Sequence, residues 1–412
     1  GGTITGDLTI SGDLTVTGNG TGSYSEILTG DMQLFDASND CNLFFGQGNT
    51  AASPTYHHSI KTGSDGSFKI RQGHGTAFNQ LILDANSRIS LSNNDTSGTG
   101  GGDSTSGNTI FGYLAGDGLD GTSNAGYDQV LIGHKAGAAL TTGDYNTVIG
   151  HQALHQATTA EGNVVIGLYA MNGNWAGVAT TGCIAIGQQA LQGVLTTDAS
   201  GSVAIGKFSL QDLTSGIGNT AVGFESLKQE DDGDYNTAIG YGALTAQTGT
   251  SGEVGNTAAG YQAGLAITKG RFSTLMGASA AGSEDVGDGT TAVGWSSMYF
   301  QNSDSDNEET GNTGLGYMSG YRNVTGQNNT YLGYQSGKGA SGQSNSNNTA
   351  VGKNALLAVT TGGTNVVIGS GAGVAMTNND NNVVVGYGAF AASASGADQN
   401  VIVGRTAGAS IN

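Results

Sequence analysis

Apolar and polar positions alternate through most of this chain in one short phrase that recurs at a spacing unlike that of any helix. It first appears as Asn108-Thr109-Ile110-Phe111-Gly112 and returns as Asn146-Thr147-Val148-Ile149-Gly150, Asn163-Val164-Val165-Ile166-Gly167, Asn236-Thr237-Ala238-Ile239-Gly240 and Asn382-Val383-Val384-Val385-Gly386, among others. The pivot glycines are Gly112, Gly133, Gly150, Gly167, Gly187, Gly206, Gly223, Gly240, Gly260, Gly277, Gly294, Gly316, Gly333, Gly352, Gly369, Gly386 and Gly404. Nine of the sixteen intervals between them are 17 residues and the others run from 18 to 22. A fixed minimum with small excesses predicts the coils of a solenoid, because insertions bulge from a loop and leave the stack undisturbed.

Each position of the phrase carries its own expectation. Three residues before the pivot glycine every copy has Thr, Val or Ile, and one before it every copy is apolar. β-Branched residues two apart share one side of a strand and suit a buried pleated surface, so these two positions are expected to face the core. Asn stands four before the glycine in twelve copies and marks the corner ahead of the strand. The glycine itself implies a positive φ or a close backbone approach, with a second strand beyond it. Three residues after it stands Ala or Ser in all seventeen copies, as in Ala153, Ser209 and Ala407, which implies a narrow interior or an inter-chain axis. The next residue is large (Leu154, Met171, Phe390) or else Gly or Ala, and its direction stays open at this level.

Composition turns the solenoid toward a fibre. The chain of 412 residues has 74 glycines, one proline, 36% apolar and 11% charged residues. So thin a coil buries little against a backbone ordering cost of about 1 to 2 kcal/mol per residue, so several chains, most simply three, are expected to associate along the axis. Net charge is −19, from 32 acidic and 13 basic residues, which disfavours nucleic acid and suits mutually repelling particles. Cys41 and Cys183 lie in different regions and form neither a disulfide framework nor a zinc pattern. No apolar run approaches membrane-spanning length, so no membrane insertion is expected, and the lack of a signal-peptide pattern or initiating Met points to a processed or partial product or to a virion protein released by lysis.

The phrases Asn236-Thr237-Ala238-Ile239-Gly240-Tyr241-Gly242-Ala243-Leu244 and Ser202-Val203-Ala204-Ile205-Gly206 resemble the head repeats of trimeric autotransporter adhesins and related repeats of phage fibre proteins. The resemblance covers about three quarters of the chain. It implies an all-β, parallel β-solenoid of the left-handed β-roll type wound as a homotrimer, although the 17-residue minimum exceeds the usual repeat of those heads. It also implies a virion or extracellular location, other virion proteins bound at one end, and a host-surface glycan or protein as partner.

Before the solenoid, residues 1–20 carry glycines six apart (Gly6, Gly12, Gly18) between Ile, Leu and Val alternating with Thr, which resembles a phage-fibre shaft segment. Residues 21–95 hold short alternating runs such as Phe68-Lys69-Ile70-Arg71 and Arg88-Ile89-Ser90-Leu91 and are expected to form a small all-β knob or insertion. A Gly/Ser/Thr linker spans 96–107, and the solenoid of seventeen repeats spans 108–412. It ends at Asn412 without a distinct cap, so a tip or a removable folding domain is expected to follow.

Candidate contact residues lie one position after the pivot glycine: Tyr113, Phe224, Tyr241, Tyr261, Trp295, Tyr317, Tyr334 and Tyr387. Stacked coils would align them in an interrupted ladder, either a glycan-binding stripe or packing between coils and chains. Acidic loops at Glu230-Asp231-Asp232-Gly233-Asp234, Glu284-Asp285-Val286-Gly287-Asp288 and 304–309 offer oxygen ligands for calcium, against the plainer reading of a solvated loop face. His134 and His151 share a repeat position and are expected to stack; His57, His58 and His74 lie in the knob. No nucleophile elbow, HExxH or phosphate-cradling loop appears, so no catalytic residue and no obligate cofactor is assigned. The expected function is a rigid trimeric virion fibre that attaches to a host surface. The alternatives are a bacterial trimeric adhesin and an ice-binding or glycan-binding solenoid.

Overall fold

A computed structural model describes the strand backbones at 42–45, 58–62, 68–72, 78–83 and 87–91, and residues 107–409 except 120–125, 174–179, 195–198, 250–251 and 394. The shaft segment 1–20 and all of the linker but Gly107 lie outside these residues, as do His57, His74 and Cys41. Two compact units divide at Ala85/Asn86. In the first, β1 (Asn42–Phe45), β2 (His58–Thr62), β3 (Phe68–Gln72) and β4 (Phe78–Leu83) form an antiparallel meander in sequence order, with a register shift between Ile70 and Arg71.

In the second unit, β5 (Ser87–Leu91) pairs antiparallel with β6 (Thr109–Tyr113). The run Arg88-Ile89-Ser90-Leu91, grouped with the knob on sequence grounds, is thus the first strand of the solenoid sheet. From β6 onward each pivot glycine is preceded by a three-residue strand that pairs in parallel, without slippage, with the strand of the next coil: Thr147 with Val164, Val148 with Val165, Ile149 with Ile166. Sixteen such pairings join seventeen strands in one open sheet whose strands neighbour only those of adjacent coils. No helix occurs among the described residues. At about 4.8 Å per coil the stack is roughly 80 Å long.

The inward side of the strand is the reverse of the expectation. The middle residue, two before the pivot, is the buried one: Leu131, Val148, Val165, Ala185, Ala204 and Tyr331 are fully buried, while their β-branched neighbours on either side are half-buried or exposed. Period two identifies which residues share a face but not which face is the interior. The interior is narrow, and Ala or Gly occupies the middle position in eight of the seventeen coils, from Ala185 to Ala350. Beyond the pivot the chain enters a turn rather than a second strand, and the small residue three positions on lies inside: Ala153, Ala190, Ser209 and Ala243 are fully buried.

The turn is built from left-handed residues. The pivot glycines take φ of 128 to 144°, and the residues two and four after them take positive φ whatever their type, as at Gln152 (52°) and Leu154 (48°). This explains the alternation of large residue and glycine at the fourth position. That residue points inward, and where a large side chain of its own strand or of a neighbouring coil already reaches the spot, the space is filled. A Cβ on Gly116 would meet Leu131 and Ile110, and one on Gly264 would meet Leu275 and Leu244. Where the middle residue is Ala, as at Ala185, Ala204, Ala221 and Ala238, the fourth position supplies Leu191, Leu210, Leu227 and Leu244.

Corners are joined by a buried amide ladder. The backbone N–H of Asn163 donates to Oδ1 of Asn146 (3.0 Å), that of Cys183 to Oδ1 of Asn163 (2.8 Å), and that of Asn236 to Oδ1 of Asn219 (2.8 Å). The amide Nδ2 caps a carbonyl of the coil's last turn, as from Asn146 to Ala160 O (2.7 Å). Cys183 is buried on one rung, its thiol donating to Ala199 O at 3.4 Å.

Two substitutions test this construction. A Cβ on Gly333 would lie 2.7 Å from the carbonyl oxygen of Gly352 at a φ of 132°, so Gly333→Ala is expected to cost about 2 kcal/mol or more in denaturant titration. Conversely, Thr364 is exposed and β-branched at φ 58°, in a column five before the pivot where eight coils carry glycine. Thr364→Gly is expected to raise stability by about 1 kcal/mol in the same titration.

Candidate functional site

Because the middle residue points inward, the sheet turns two columns outward. The column one before the pivot runs Phe111, Ile132, Ile149, Ile166, Ile186, Ile205, Val222, Ile239, Ala259, Met276, Val293, Leu315, Leu332, Val351, Ile368, Val385 and Val403, apolar in every coil. Ile239 is 47% exposed and Val403 66%. The column three before the pivot contains eight consecutive threonines, Thr220, Thr237, Thr257, Thr274, Thr291, Thr313, Thr330 and Thr349, each opposite the next in register. Phe111, Ile239, Met276, Leu315, Leu332, Ile368 and Val403 are the exposed members of the apolar column and the others are half-buried.

The aromatic column after the pivot forms stacked runs. Phe224 and Tyr241 lie 5.0 Å apart, Tyr241 and Tyr261 5.5 Å, Trp295 and Tyr317 5.0 Å, and Tyr317 and Tyr334 5.0 Å between centroids, all within 22° of parallel. Tyr113 stacks on His134 at 5.3 Å and His134 on His151 at 4.8 Å. Cations sit over the rings at two points, with Lys353 Nζ 5.8 Å from the Tyr334 centroid and the Arg405 guanidinium 5.8 Å from that of Tyr387. Inside each run the ring faces are spent on one another, so a sugar finds a free aromatic face only where a run ends. Aromatic residues in register on stacked coils were legible in sequence; the consumption of their faces was not, because it depends on rotamer.

The acidic loops work mainly as ties between coils. Oδ1 of Asp144 accepts from Gly126 and Tyr127 N–H (2.8 and 2.7 Å), and Oδ1 of Asp234 from Ile217 N–H (2.8 Å). Asp288 accepts the backbone N–H of Arg271 and pairs with its guanidinium (2.7 Å). In the 304–309 loop, Lys269 Nζ reaches Asp306 at 2.7 Å. Ligand atoms of Glu230, Asp231 and Asp232 come within 4.8 Å of one another. Glu230 is nevertheless committed inward, accepting from Gly233 N–H (2.7 Å) and Asn236 Nδ2 (3.2 Å). This leaves too few free oxygens for calcium, which takes six to eight.

Glu230 and Glu284 share one interior column, seven after the pivot, where other coils place Leu140, Leu213 or Ile267, or an amide such as Gln247 or Gln301. Desolvation pushes the Glu230 carboxyl up to about 7, partly opposed by the Gly233 N–H. Burial raises Glu284 as well, against bonds from Ser303 and Gly287. His155 is shifted down by burial, then by the charges of Lys135, His134 and His151.

Compared with protein-family models, with curated proteins and with solved structures, the chain matches none. Among the described residues no helix is long and apolar enough to cross a membrane.

The buried carboxyl gives a pH signature. A folded-state pKa raised above the unfolded value means the folded state holds the extra proton, so stability falls as pH rises from about 4.5 to about 7 and is level above. The full difference is of order 3 kcal/mol. Gln247 and Gln301 accept from the corner amides of Asn256 and Asn312 at 2.9 Å, so glutamine fits this column. Glu230→Gln is expected to flatten the dependence and to stabilise the protein at pH 8, read from urea midpoints at pH 5 and pH 8.

Proposed function

We propose that the protein is a structural fibre of a virion, a tail or other appendage fibre, serving as a rigid homotrimeric spacer that attaches to a host surface. The observation that supports this most is the apolar outward column, unbroken over seventeen coils. Every one of these seventeen apolar residues keeps part of its surface in water in the single chain, seven of them a third or more. Three chains in parallel around a common axis bury the whole column with each residue meeting its own equivalents at one height. In this reading the coils wind as a left-handed β-roll, other virion proteins hold one end, and the protein works outside the cell. Its mechanism is reach combined with avidity, since three copies of each surface share one rod.

The same column weighs against an ice-binding plane, although the eight threonines in register favour that reading locally. A lattice-matching surface needs side chains of even height, and Ala259, Met276, Val293 and Leu315 follow one another unevenly in the column beside the threonines. Absence of thermal hysteresis in solutions of the full chain is the expected outcome.

Light scattering after size exclusion is expected to return a mass near three times 41.1 kDa. The double substitution Ile239→Asp and Leu332→Asp, on exposed positions that leave the interior untouched, is expected to release single chains, because it buries charges against their own copies. A single-chain mass for the unaltered protein overturns the trimeric spacer.

A further inference from the structure

Among the interruptions of the aromatic column, Ala278 is a gap one coil wide between two stacked runs, standing between Tyr261 and Trp295. On one side Tyr261 presents a face to Tyr241 at 5.5 Å and 22°, so its other face looks along the axis toward the Ala278 coil. On the other side Trp295 stacks on Tyr317 at 5.0 Å and 14°, so its free face looks back toward the same coil. Two aromatic faces therefore oppose each other across one missing rung. With rungs 5.0 to 5.5 Å apart, their centroids are about 10 Å apart. Both walls stand in solvent, Tyr261 at 53% and Trp295 at 47% exposure, and the intervening coil carries only the half-buried Ala278 at this position.

We infer that this slot binds one neutral pyranose ring, sandwiched between Tyr261 and Trp295. The width selects the guest. A flat aromatic guest stacks at about 3.5 Å from each wall and fills only about 7 Å, leaving one face unsatisfied. A chair-form sugar carries axial C–H bonds on both faces and rests about 4.5 to 5 Å from each ring centroid, which fills the gap. Water between two apolar faces is readily displaced, and the sugar's equatorial hydroxyls stay at the rim, in water or within reach of the Tyr261 hydroxyl and the Trp295 indole N–H. The chain's charge of −19 favours a neutral sugar over a uronic or sialic acid. One shallow slot binds weakly, and three on a trimer act together. The inference deepens the attachment half of the fibre reading and rests on it for its biological sense, while the binding itself does not require it.

The chain has two tryptophans, so Trp175→Phe leaves Trp295 as the sole indole reporter. Its emission is followed in the full-length protein during titration with the methyl pyranosides of glucose, galactose, mannose and N-acetylglucosamine, up to about 100 mM. At least one is expected to give a saturable shift with a millimolar midpoint. Ala278→Tyr adds the missing rung without removing either wall, at a column position where other coils carry Tyr, and is expected to weaken that response at least tenfold. Ala278→Leu fills the same space by a different shape and is expected to do likewise, with melting curves of both variants matching the parent. No saturable shift with any of the four sugars overturns the inference, as does a response unchanged in both variants, or tighter binding of indole than of every pyranoside. Adsorption of the labelled protein to host-type cells is scored separately. Sugar binding without adsorption sinks the attachment reading alone, and adsorption by a parent protein that gives no sugar response sinks the slot alone.

Discussion

Coil-to-coil register along the pivot glycines governs the rest of the molecule. At the pivots from Gly133 to Gly386 the N–H donates to the carbonyl of the preceding coil's strand, as Gly150 does to Ile132 at 2.8 Å, and the next backbone passes so close that no Cβ fits between. A slip of one residue would put a Cβ into that contact and turn every inward side chain outward. The amide ladder secures the same register from the corner, since a displaced Asn would leave a buried N–H and a buried carbonyl unpaired, at about 1 to 3 kcal/mol for each group. Two independent devices thus enforce one alignment, and loops of different length hang from it without disturbing it.

Given that register, the interior follows from volume. Large side chains from the middle of the strand and from the left-handed residue beyond the pivot share the interior between adjacent coils, so that Leu275 and Leu244 fill the space at Gly264, and Met298 and Tyr331 that at Gly320. Tyr331 is the extreme case. Its ring is fully buried, Gly320 and Gly337 leave it space, its hydroxyl bonds Asn345, and burial drives its ionisation up. Leucine and methionine tolerate a left-handed backbone here because the packing they gain exceeds the strain, about 1 to 2 kcal/mol per residue. Glycine needs no such compensation, which is why it appears wherever a neighbour already fills the space.

Much of this was legible in the sequence, and what was not has a physical reason. The repeat length, the corner Asn, the strand before the glycine, the small interior residue and the stacking of His134 on His151 all follow from period and residue type. The direction of the strand was misjudged, because β-branched residues suit any pleated face, and here they cover the outside while Ala and Val fill the inside. The turn after the pivot was misjudged because a left-handed Leu or Gln leaves no mark in composition. Glu230 and Glu284 were grouped with exposed acidic loops. Their signal was present but subtle: they stand seven after the pivot, in a column that, Ser393 apart, is otherwise apolar or amide.

The outward columns separate what the fold needs from what it presents. Inside, identity varies from coil to coil, and a small residue in one coil is matched by a large one in the next, as Gly320 is by Tyr331. Outside, the apolar character of the column before the pivot never lapses, although nothing in the single chain packs against it at positions such as Ile239 or Val403. A requirement met at seventeen successive positions, and not imposed by the coil's own interior, is most simply imposed by another surface that runs the length of the stack. The aromatic column beyond the pivot behaves differently. It is discontinuous, giving way to Leu168, Gln188, Lys207, Ala278, Lys353, Ser370 and Arg405. A surface serving only to hold coils together would gain from every rung, so the interruptions are where recognition, rather than cohesion, has room to act.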